Sequence, residues 1–466
     1  FAMPVSRTML RPAAGGAEEG MKGEYFSSTD LSGTPVMTRV DPEINFDWSG
    51  VSPLKATPDS GFSVRWTGAI TAPAAGEYEF TLRTGRCRGC NRTQSYKVFV
   101  DGQQVAASEA PPAAGERPAM AINGTTGLPE ERHVAGPAKF KVNFADKNEH
   151  ELRIEFLRTS ARDGSGITLE WSPKPEVLLP GALEAAKGAD LVVAMVGLSP
   201  NLEGEEMPVN LPGFVGGDRT DIKLPAAQEE MLQQLAATGK PMVVVLLNGS
   251  ALAVNWAEAH ANAVLEAWYP GEAGGRAIAD TLTGKNNPSG RLPVTFYTSL
   301  DELPPFTEYG VKNRTYRYFT GTALYGFGYG LSYTKFAYSK AKVSTASLKA
   351  GDPLTVEADV KNTGKMAGDE VAQVYLMAPR DGNGGLSPNL QLEGFQRVHL
   401  APGQTKHVVF KLTPRELSEV DAEGVRSVQA GSYTVAVGGA QPKDPHAPTP
   451  AVTASFSIVG SQELPR

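Results

Sequence analysis

Apolar and polar residues alternate along the first third of the chain. Phe62-Ser63-Val64-Arg65-Trp66, Tyr78-Glu79-Phe80-Thr81-Leu82 and Tyr96-Lys97-Val98-Phe99-Val100 carry apolar side chains at every second position. That is the period of a strand with one buried face. Asp101-Gly102 follows the third of these strands and predicts a hairpin. Phe140 to Phe144 and Leu152 to Leu157 continue the pattern. No long helical period interrupts it before about Pro173, so this segment is expected to be an antiparallel β-sandwich.

From about Glu176 to Phe336 the pattern changes. Leu191 to Val196 and Met242 to Leu247 are near-continuous apolar runs. Such runs suit parallel strands covered on both faces. Between them, Ala226 to Ala237 places Met231, Leu232 and Leu235 at helical spacing behind Pro225. A third run, Ala263-Val264-Leu265-Glu266-Ala267-Trp268, precedes a helical stretch from Gly274 to Leu282. Alternating strands and helices predict a doubly wound α/β sandwich.

From about Ala337 the two-residue period returns. Thr355 to Val360, Val371 to Leu376, Lys406 to Lys411 and Tyr433 to Val437 alternate, with Asn362-Thr363-Gly364 and Ala401-Pro402-Gly403 as turns. This predicts an immunoglobulin-like sandwich. No solenoid repeat occurs, and low complexity is confined to the Pro-rich Gln441 to Pro450. The fold class is therefore multidomain α/β plus all-β.

Composition agrees with three domains. The chain has 466 residues, 41% hydrophobic and 20% charged, with 50 Gly and 35 Pro. These are globular values with many turns. The net charge of −7 and the lack of a basic run argue against nucleic-acid binding. No run of about 18 apolar residues occurs, so no membrane-spanning helix is expected. The first residues, Phe1 to Ser6, lack the basic and apolar regions of a signal peptide, so the sequence reads as beginning in mid-protein.

The two cysteines, Cys87 and Cys90, form Cys-x-x-Cys. A redox motif would open a helix, and Asn91-Arg92-Thr93-Gln94 does not read as one. A zinc site lacks two further ligands. A loop-closing disulfide is the expectation, free thiols the alternative, and a disulfide implies an oxidising compartment. No cofactor or metal is implied. The Arg-rich loop from Thr84 to Thr93 is long enough to reach over a neighbouring site and shape substrate choice.

Ligands bind beyond the carboxyl ends of strands in open α/β sheets. The loop after Val196 contains Glu203-Gly204-Glu205-Glu206, then Asp218-Arg219. Three carboxylates within four residues raise the proton affinity of at least one, as a general acid needs. The plain alternative is a solvated acidic loop. Asp218 and Arg219 read as an ion pair supporting that loop. Asn248-Gly249 reads as a tight turn that needs glycine, or as part of the cleft. Tyr25, Trp48 and Trp66 read as sandwich core rather than sugar platforms, and Trp256 and His260 as helix packing.

The order of several blocks resembles glycoside hydrolase family 3. They are Glu203-Gly204-Glu205, Gly217-Asp218-Arg219, Leu224-Pro225-Ala226-Ala227-Gln228 and Asn248-Gly249-Ser250. Next come Trp268-Tyr269-Pro270-Gly271-Glu272-Ala273-Gly274-Gly275 and Asn287-Pro288-Ser289-Gly290-Arg291-Leu292-Pro293-Val294-Thr295. Last is Tyr325-Gly326-Phe327-Gly328-Tyr329-Gly330-Leu331-Ser332-Tyr333-Thr334. The segment with Gly23-Glu24-Tyr25-Phe26 and Phe62 to Gly68 resembles the β-sandwich module of anthrax protective antigen, which some members carry inserted. The resemblance implies four parts. Residues 1–13 lead in from a part of the α/β domain outside the sequence. Residues 14–174 form the protective-antigen-like module, 175–336 the α/β sandwich with the acid/base loop, and 337–466 a fibronectin type III-like domain.

The resemblance also implies a retaining, exo-acting β-glucosidase that releases terminal non-reducing β-D-glucose. A β-xylosidase and a non-catalytic carbohydrate-binding assembly are the alternatives. A nucleotide binder is disfavoured, since no Gly-rich phosphate loop follows any strand. By the family's pattern Glu205 is the general acid/base, with Glu203 and Glu206 the neighbours that compete for the role. Glu206 stands where glycine is frequent in the family, and ten extra residues, Pro208 to Gly217, precede Asp218. The resemblance further implies that the nucleophile is an aspartate on an amino-terminal barrel outside this sequence. Asp47-Trp48 imitates its dipeptide but lies in the sandwich module. Expected partners are a β-linked glucose or xylose oligosaccharide or glycoside, that barrel, and a second copy in a homodimer. Neither nucleic acid nor membrane is expected, and the location is periplasmic or secreted.

Overall fold

The architecture is that of a computed structural model. The residues described are 3–48, 53–54, 60–84, 94–108, 120–122, 129–131, 138–160, 166–172, 175–200, 202–207, 209–379, 387–421 and 423–465. Cys87, Cys90 and the loop from 85 to 93 lie outside them. The chain divides into two compact units, residues 1–188 and 189–466.

The first unit is a β-sandwich, as the alternation predicts. One sheet runs Met3–Pro4, Gly166–Ser172, Gly76–Thr84, Ala138–Phe144, with Asn45–Asp47 also on Gly166–Ser172. The other runs Met37–Asp41, Met21–Phe26, Ser60–Thr71, Glu149–Ser160, Gln94–Val100, Gln103–Ala107, with Leu10–Arg11 also on Ser60–Thr71. Asp101 (φ +49°) and Gly102 (φ +75°) make the hairpin, with two positive φ values matching the strand twist. Tyr25, Trp48 and Trp66 are buried in the core, and Phe46, Trp48 and Trp66 stack. Buried Asp41 accepts hydrogen bonds from Tyr25 Oη (2.6 Å), Trp66 Nε1 (2.7 Å) and Arg39 Nε (2.6 Å). The aromatics are thus occupied as structure. Asp47-Trp48 lies at a strand end against this core. The helix Pro175–Gly188 packs Val177 and Leu178 on the same core, within the first compact unit.

The second unit begins with a parallel sheet of three strands, β1 (Val192–Gly197), β2 (Met242–Leu247) and β3 (Ala263–Glu266), in that order. Helix α1 (Ala226–Ala236) joins β1 to β2 and α2 (Asn255–His260) joins β2 to β3; α3 (Gly274–Leu282) follows. In a right-handed crossover topology this strand order puts α1 and α2 on one face. The expected double winding with cover on both faces is met on one side of β1 only. Ala194 and Val196 are buried, whereas Leu191, Val193 and Met195 are 50%, 42% and 47% exposed.

Eight further strands form a second sandwich. Phe336–Val343, Leu354–Asn362 and Thr405–Leu412 make one sheet. Ser347–Lys349, Val452–Val459, Gly431–Gly438, Gly368–Met377 and Gln391–Leu400 make the other. Val356, Val360, Val374, Tyr433 and Phe456 lie in the core between them. Arg291, from the segment after α3, reaches Glu370 of this sandwich (2.8 Å) with side chains 8% and 4% exposed, and donates to Gly439 O (3.2 Å). Burial pushes the Glu370 carboxyl above its usual range, with Arg291 opposing. Breaking a buried pair from one side strands a charge, whereas removing both charges is far milder. Glu370→Ala should therefore lower the stability of this unit by about 3–5 kcal/mol in urea unfolding. Arg291→Met/Glu370→Leu should recover most of that loss.

Candidate active site

The loops at the carboxyl ends of β1, β2 and β3 converge, and each contributes one of the motifs. Gly197 ends β1 at φ +138°, and an added Cβ there would lie 2.0 Å from Leu247 O. Only glycine fits where β1 runs this close to β2. Gln228 at the start of α1 clamps the same peptide. Its Oε1 accepts Gly197 N–H (2.8 Å) and its Nε2 donates to Gly197 O (2.9 Å). The block Leu224 to Gln228 thus fixes where the acid loop departs.

The three glutamates of that loop differ sharply. Glu203 is half-buried and tied down. Tyr269 Oη donates to its Oε1, Gly249 N–H reaches the same oxygen (3.3 Å), and Ser250 Oγ reaches Oε2 (3.4 Å). Glu205 is exposed and, among the described residues, has no hydrogen-bond or ion-pair partner. Glu206 is exposed at φ +49°, a left-handed turn position in which glycine is usual. The loop therefore holds one carboxylate fixed and leaves the next acid in Glu-x-Glu free.

Within the extra residues, Asn210–Leu211 pairs with Phe214–Val215, which pairs in turn with Asp218–Arg219 to make a small meander. Met207 N–H donates to Gly216 O (2.9 Å), and Gly217 packs so close to Gly204 that an added Cβ would lie 1.7 Å from its carbonyl oxygen. The insertion thus supports the acid loop rather than displacing it.

Asp218 and Arg219 do not form the expected ion pair. Asp218 is exposed. Arg219 points instead between the loops after β1 and β2. It donates to Asp221 O (3.1 Å), Ser250 Oγ (2.9 Å), Ala251 O (3.0 Å) and Lys223 O (3.4 Å). Burial lowers its proton affinity, and the charges of Glu203 and Asp221 oppose that shift. Adjacent residues on a strand point to opposite faces, which is why Asp218 cannot share this environment.

Asn248-Gly249 belongs to the site and is more than a turn. An added Cβ at Gly249 would meet Tyr269 Cε2 at 2.7 Å and Glu203 Oε1 at 3.0 Å. Glycine is needed for close approach. Asn248 is fully buried and donates to Ser250 O (2.9 Å) and Glu266 Oε2 (3.3 Å). Trp256 and His260 stack on each other in α2 (4.6 Å), as packing.

Sequence reasoning gave no role to Glu266, nor to Ser250 and Tyr269, which it placed only within the family-like blocks. Glu266 ends β3 and its Oε1 accepts Trp268 N–H (2.9 Å). Burial pushes its carboxyl up to about 7, with the Trp268 and Asn248 hydrogen bonds opposing. Burial and the Glu203 hydrogen bond hold the Tyr269 hydroxyl well above the usual tyrosine range. The one available signal was a lone carboxylate inside the apolar run from Ala263 to Trp268. Among the described residues no cluster of His, Cys, Asp and Glu is suited to a metal ion.

The family model for the glycosyl hydrolase family 3 C-terminal domain matches residues 62–333. The chain belongs to glycosyl hydrolase family 3. A model for the fibronectin type III-like domain matches residues 370–441. A xylan 1,4-beta-xylosidase of Xylanibacter ruminicola is 34% identical over 424 residues, 90% of this chain and 45% of that protein. A periplasmic beta-glucosidase of Salmonella typhimurium is 36% identical over 277 residues, 57% of this chain and 36% of that protein. The crystal structure of a beta-glucosidase from Kluyveromyces marxianus in complex with glucose shares the fold, with TM-score 0.63 at 23% identity, over 99% of this chain and 53% of that one. The chain thus spans about half the length, or less, of the relatives it matches.

The Glu266 carboxyl has a folded value above its unfolded one. Its contribution to stability is therefore full below about pH 4.5 and declines as pH rises to about 7, by roughly 3 kcal/mol at most. Glu266→Gln keeps an acceptor for Trp268 N–H and removes the titration. Urea unfolding should show the variant gaining on the parent as pH goes from 5 to 8. Arg219→Met should unfasten the two loops, and hydrogen exchange at Gly249 and Ser250 should rise at least tenfold.

Proposed function

We propose that this chain is the acid/base-carrying part of a retaining, exo-acting β-glycosidase that releases terminal non-reducing β-D-glucose from oligosaccharides or glycosides. One observation carries the reading. Glu205 is free and exposed in a loop whose neighbouring acid, Glu203, is immobilised by three donors. In the reaction Glu205 protonates the leaving-group oxygen as the glycosidic bond breaks. It then takes a proton from the water that attacks the glycosyl-enzyme. A retaining enzyme needs its second carboxylate about 5–5.5 Å away as nucleophile. Polypeptide outside these residues supplies it, in an aspartate on a barrel domain.

The parallel sheet supports that division of labour. Parallel sheets are covered on both faces, yet Leu191, Val193 and Met195 are bare. The relatives are about twice as long, which leaves ample chain to cover them. We assign residues 14–174 to a protective-antigen-like module, 175–336 to the α/β sandwich and 337–466 to the fibronectin type III-like domain. Export to the periplasm or beyond belongs to the same reading, supported by the name of the Salmonella relative. No helix among the described residues is long and apolar enough to cross a membrane. A β-xylosidase is the second reading, favoured by the name of the Xylanibacter relative, whose alignment covers 90% of the chain.

In the complete protein, Glu205→Gln should lower kcat on cellobiose or xylobiose by roughly 10²–10⁴-fold. Aryl glycosides with good leaving groups should lose far less in the first step. Unchanged disaccharide turnover would remove Glu205 from the role, and the ratio of cellobiose to xylobiose turnover decides between the two sugars. The 466-residue chain alone should show no turnover. Met195→Lys should leave the fold of this chain intact and abolish activity on recombination with the separately expressed amino-terminal part.

A further inference from the structure

Arg219 ties the loops after β1 and β2, and a second buried group ties the loops after β2 and β3. Glu266 is the last residue of β3, in register with Leu246 near the end of β2. Its two carboxyl oxygens go to different loops. Oε1 accepts Trp268 N–H (2.9 Å), and Oε2 accepts from Asn248 Nδ2 (3.3 Å). Asn248 Nδ2 also donates to Ser250 O (2.9 Å). Gly249 N–H and Ser250 Oγ in turn hold Glu203. A chain of hydrogen bonds thus runs from Glu266 to the acid loop without passing through Arg219.

The other end of the same carboxyl braces Trp268. The φ of +53° at Trp268 is one that bulky residues avoid, and it persists only where the surroundings impose it. Trp268, Thr315, Gly249 and Ser250 form part of the lining of a recess, a cavity of about 860 Å³ beside the acid loop. Glu266 therefore constrains both a wall of that recess and the segment that fixes Glu203.

The Asn248 amide is the element that a proton resets. Asn248 is fully buried, both Nδ2 protons are used, and Oδ1 has no hydrogen-bond partner. Native structures leave few buried acceptors unmatched. With Glu266 ionised, an N–H must face the carboxylate, and Oδ1 is the atom left over. A protonated carboxyl has an O–H of its own to place, and Oδ1 is the spare acceptor on the same amide. Turning the amide over lets Oδ1 accept that O–H, and it carries Nδ2 away from Ser250 O. Burial pushes the Glu266 carboxyl up to about 7, so both states lie within the neutral range. The neighbouring charges do not compete for it. Strand β2 carries no charged residue, and Glu258 and His260 of α2 are exposed, as is Glu272 after β3. Glu203, Arg219 and Tyr269 of the adjoining loops engage one another. Above about pH 7 the carboxylate holds Asn248 and the segment is fastened; below it the Ser250 bond is released.

We propose that Glu266 is a proton-controlled staple: ionised, it holds Asn248 so that Gly249 and Ser250 fix Glu203; protonated, it lets them go, which makes it a positioning residue for the acid loop. Its effect on turnover rests on the glycosidase reading; its hold on the loops does not.

The test follows hydrogen exchange at Gly249 and Ser250 in the purified 466-residue chain at pH 6 and pH 8, corrected for intrinsic exchange. Protection should be roughly fivefold higher at pH 8, the worth of one hydrogen bond. Glu266→Gln places an N–H where the protonated acid places its O–H. It should show the lower protection at both pH values, and a thermal transition no lower than the parent's excludes misfolding. Protection independent of pH in the parent, or parent-like protection at pH 8 in Glu266→Gln, overturns the proposal. In the complete protein, Glu266→Gln should lower kcat on cellobiose or xylobiose roughly tenfold at pH 8 and little at pH 6, with KM nearly unchanged, as for a misplaced acid. An equal loss at both pH values, or none, refutes the positioning role. Unchanged disaccharide turnover in Glu205→Gln would remove the acid/base reading while the pH step in exchange stands, so the two fail separately.

Discussion

Arg219 is the constraint on which the rest of the site depends. One guanidinium draws together three chain carbonyls and the Ser250 hydroxyl from two different loops. A cation in a partly buried position pays for desolvation unless its donors are used, and here burial already lowers its proton affinity. The compensation is directional. A planar fork fixes where Ala251 and Ser250 stand, Ser250 and Gly249 then fix Glu203, and Glu203 anchors the turn that carries Glu205 outward. Lysine in this place would supply a point charge without the fork, and the loops would lose their mutual register.

The second organising feature is the asymmetry of the parallel sheet. Its central strand is buried, Val244 and Val245 completely so, while one face of β1 is open to water. An apolar face of that kind costs free energy in proportion to its area. The carboxyl ends of the same strands hold the acid loop, so the open face and the candidate site belong to one sheet.

Much of the fold was legible in the sequence because period-two alternation and continuous apolar runs report burial directly. The hairpin at Asp101-Gly102, the sandwich cores and the strands Val192–Gly197 and Met242–Leu247 fall where the pattern puts them. Burial on one face only could not be read. An apolar run says what a strand requires, and not whether the requirement is met. The candidate site was legible as motifs and not as contacts. Asp218-Arg219 invited pairing because the residues are adjacent, yet adjacency on a strand separates them. Glu266 was hidden because its proton affinity comes from burial, with Asn248 and Trp268 opposing, and Asn248 is eighteen residues away.

Backbone strain and unmatched polar atoms occur on both sides of this region, and Asn248 Oδ1 is unmatched beside the acid loop. At the acid loop the backbone strain sits at Glu206, beside the exposed glutamate, and the fixed polar atoms of Glu203 are matched. At the cavity the strain sits at Trp268 and Thr315, and polar atoms of Thr295 and Arg317 are left unmatched. Strain persists only where the surroundings over-determine it, and Glu266 and Tyr297 provide that determination. The recess shares Gly249 and Ser250 with the segment that holds Glu203, so the placement of the acid loop and the shape of the recess depend on the same two residues.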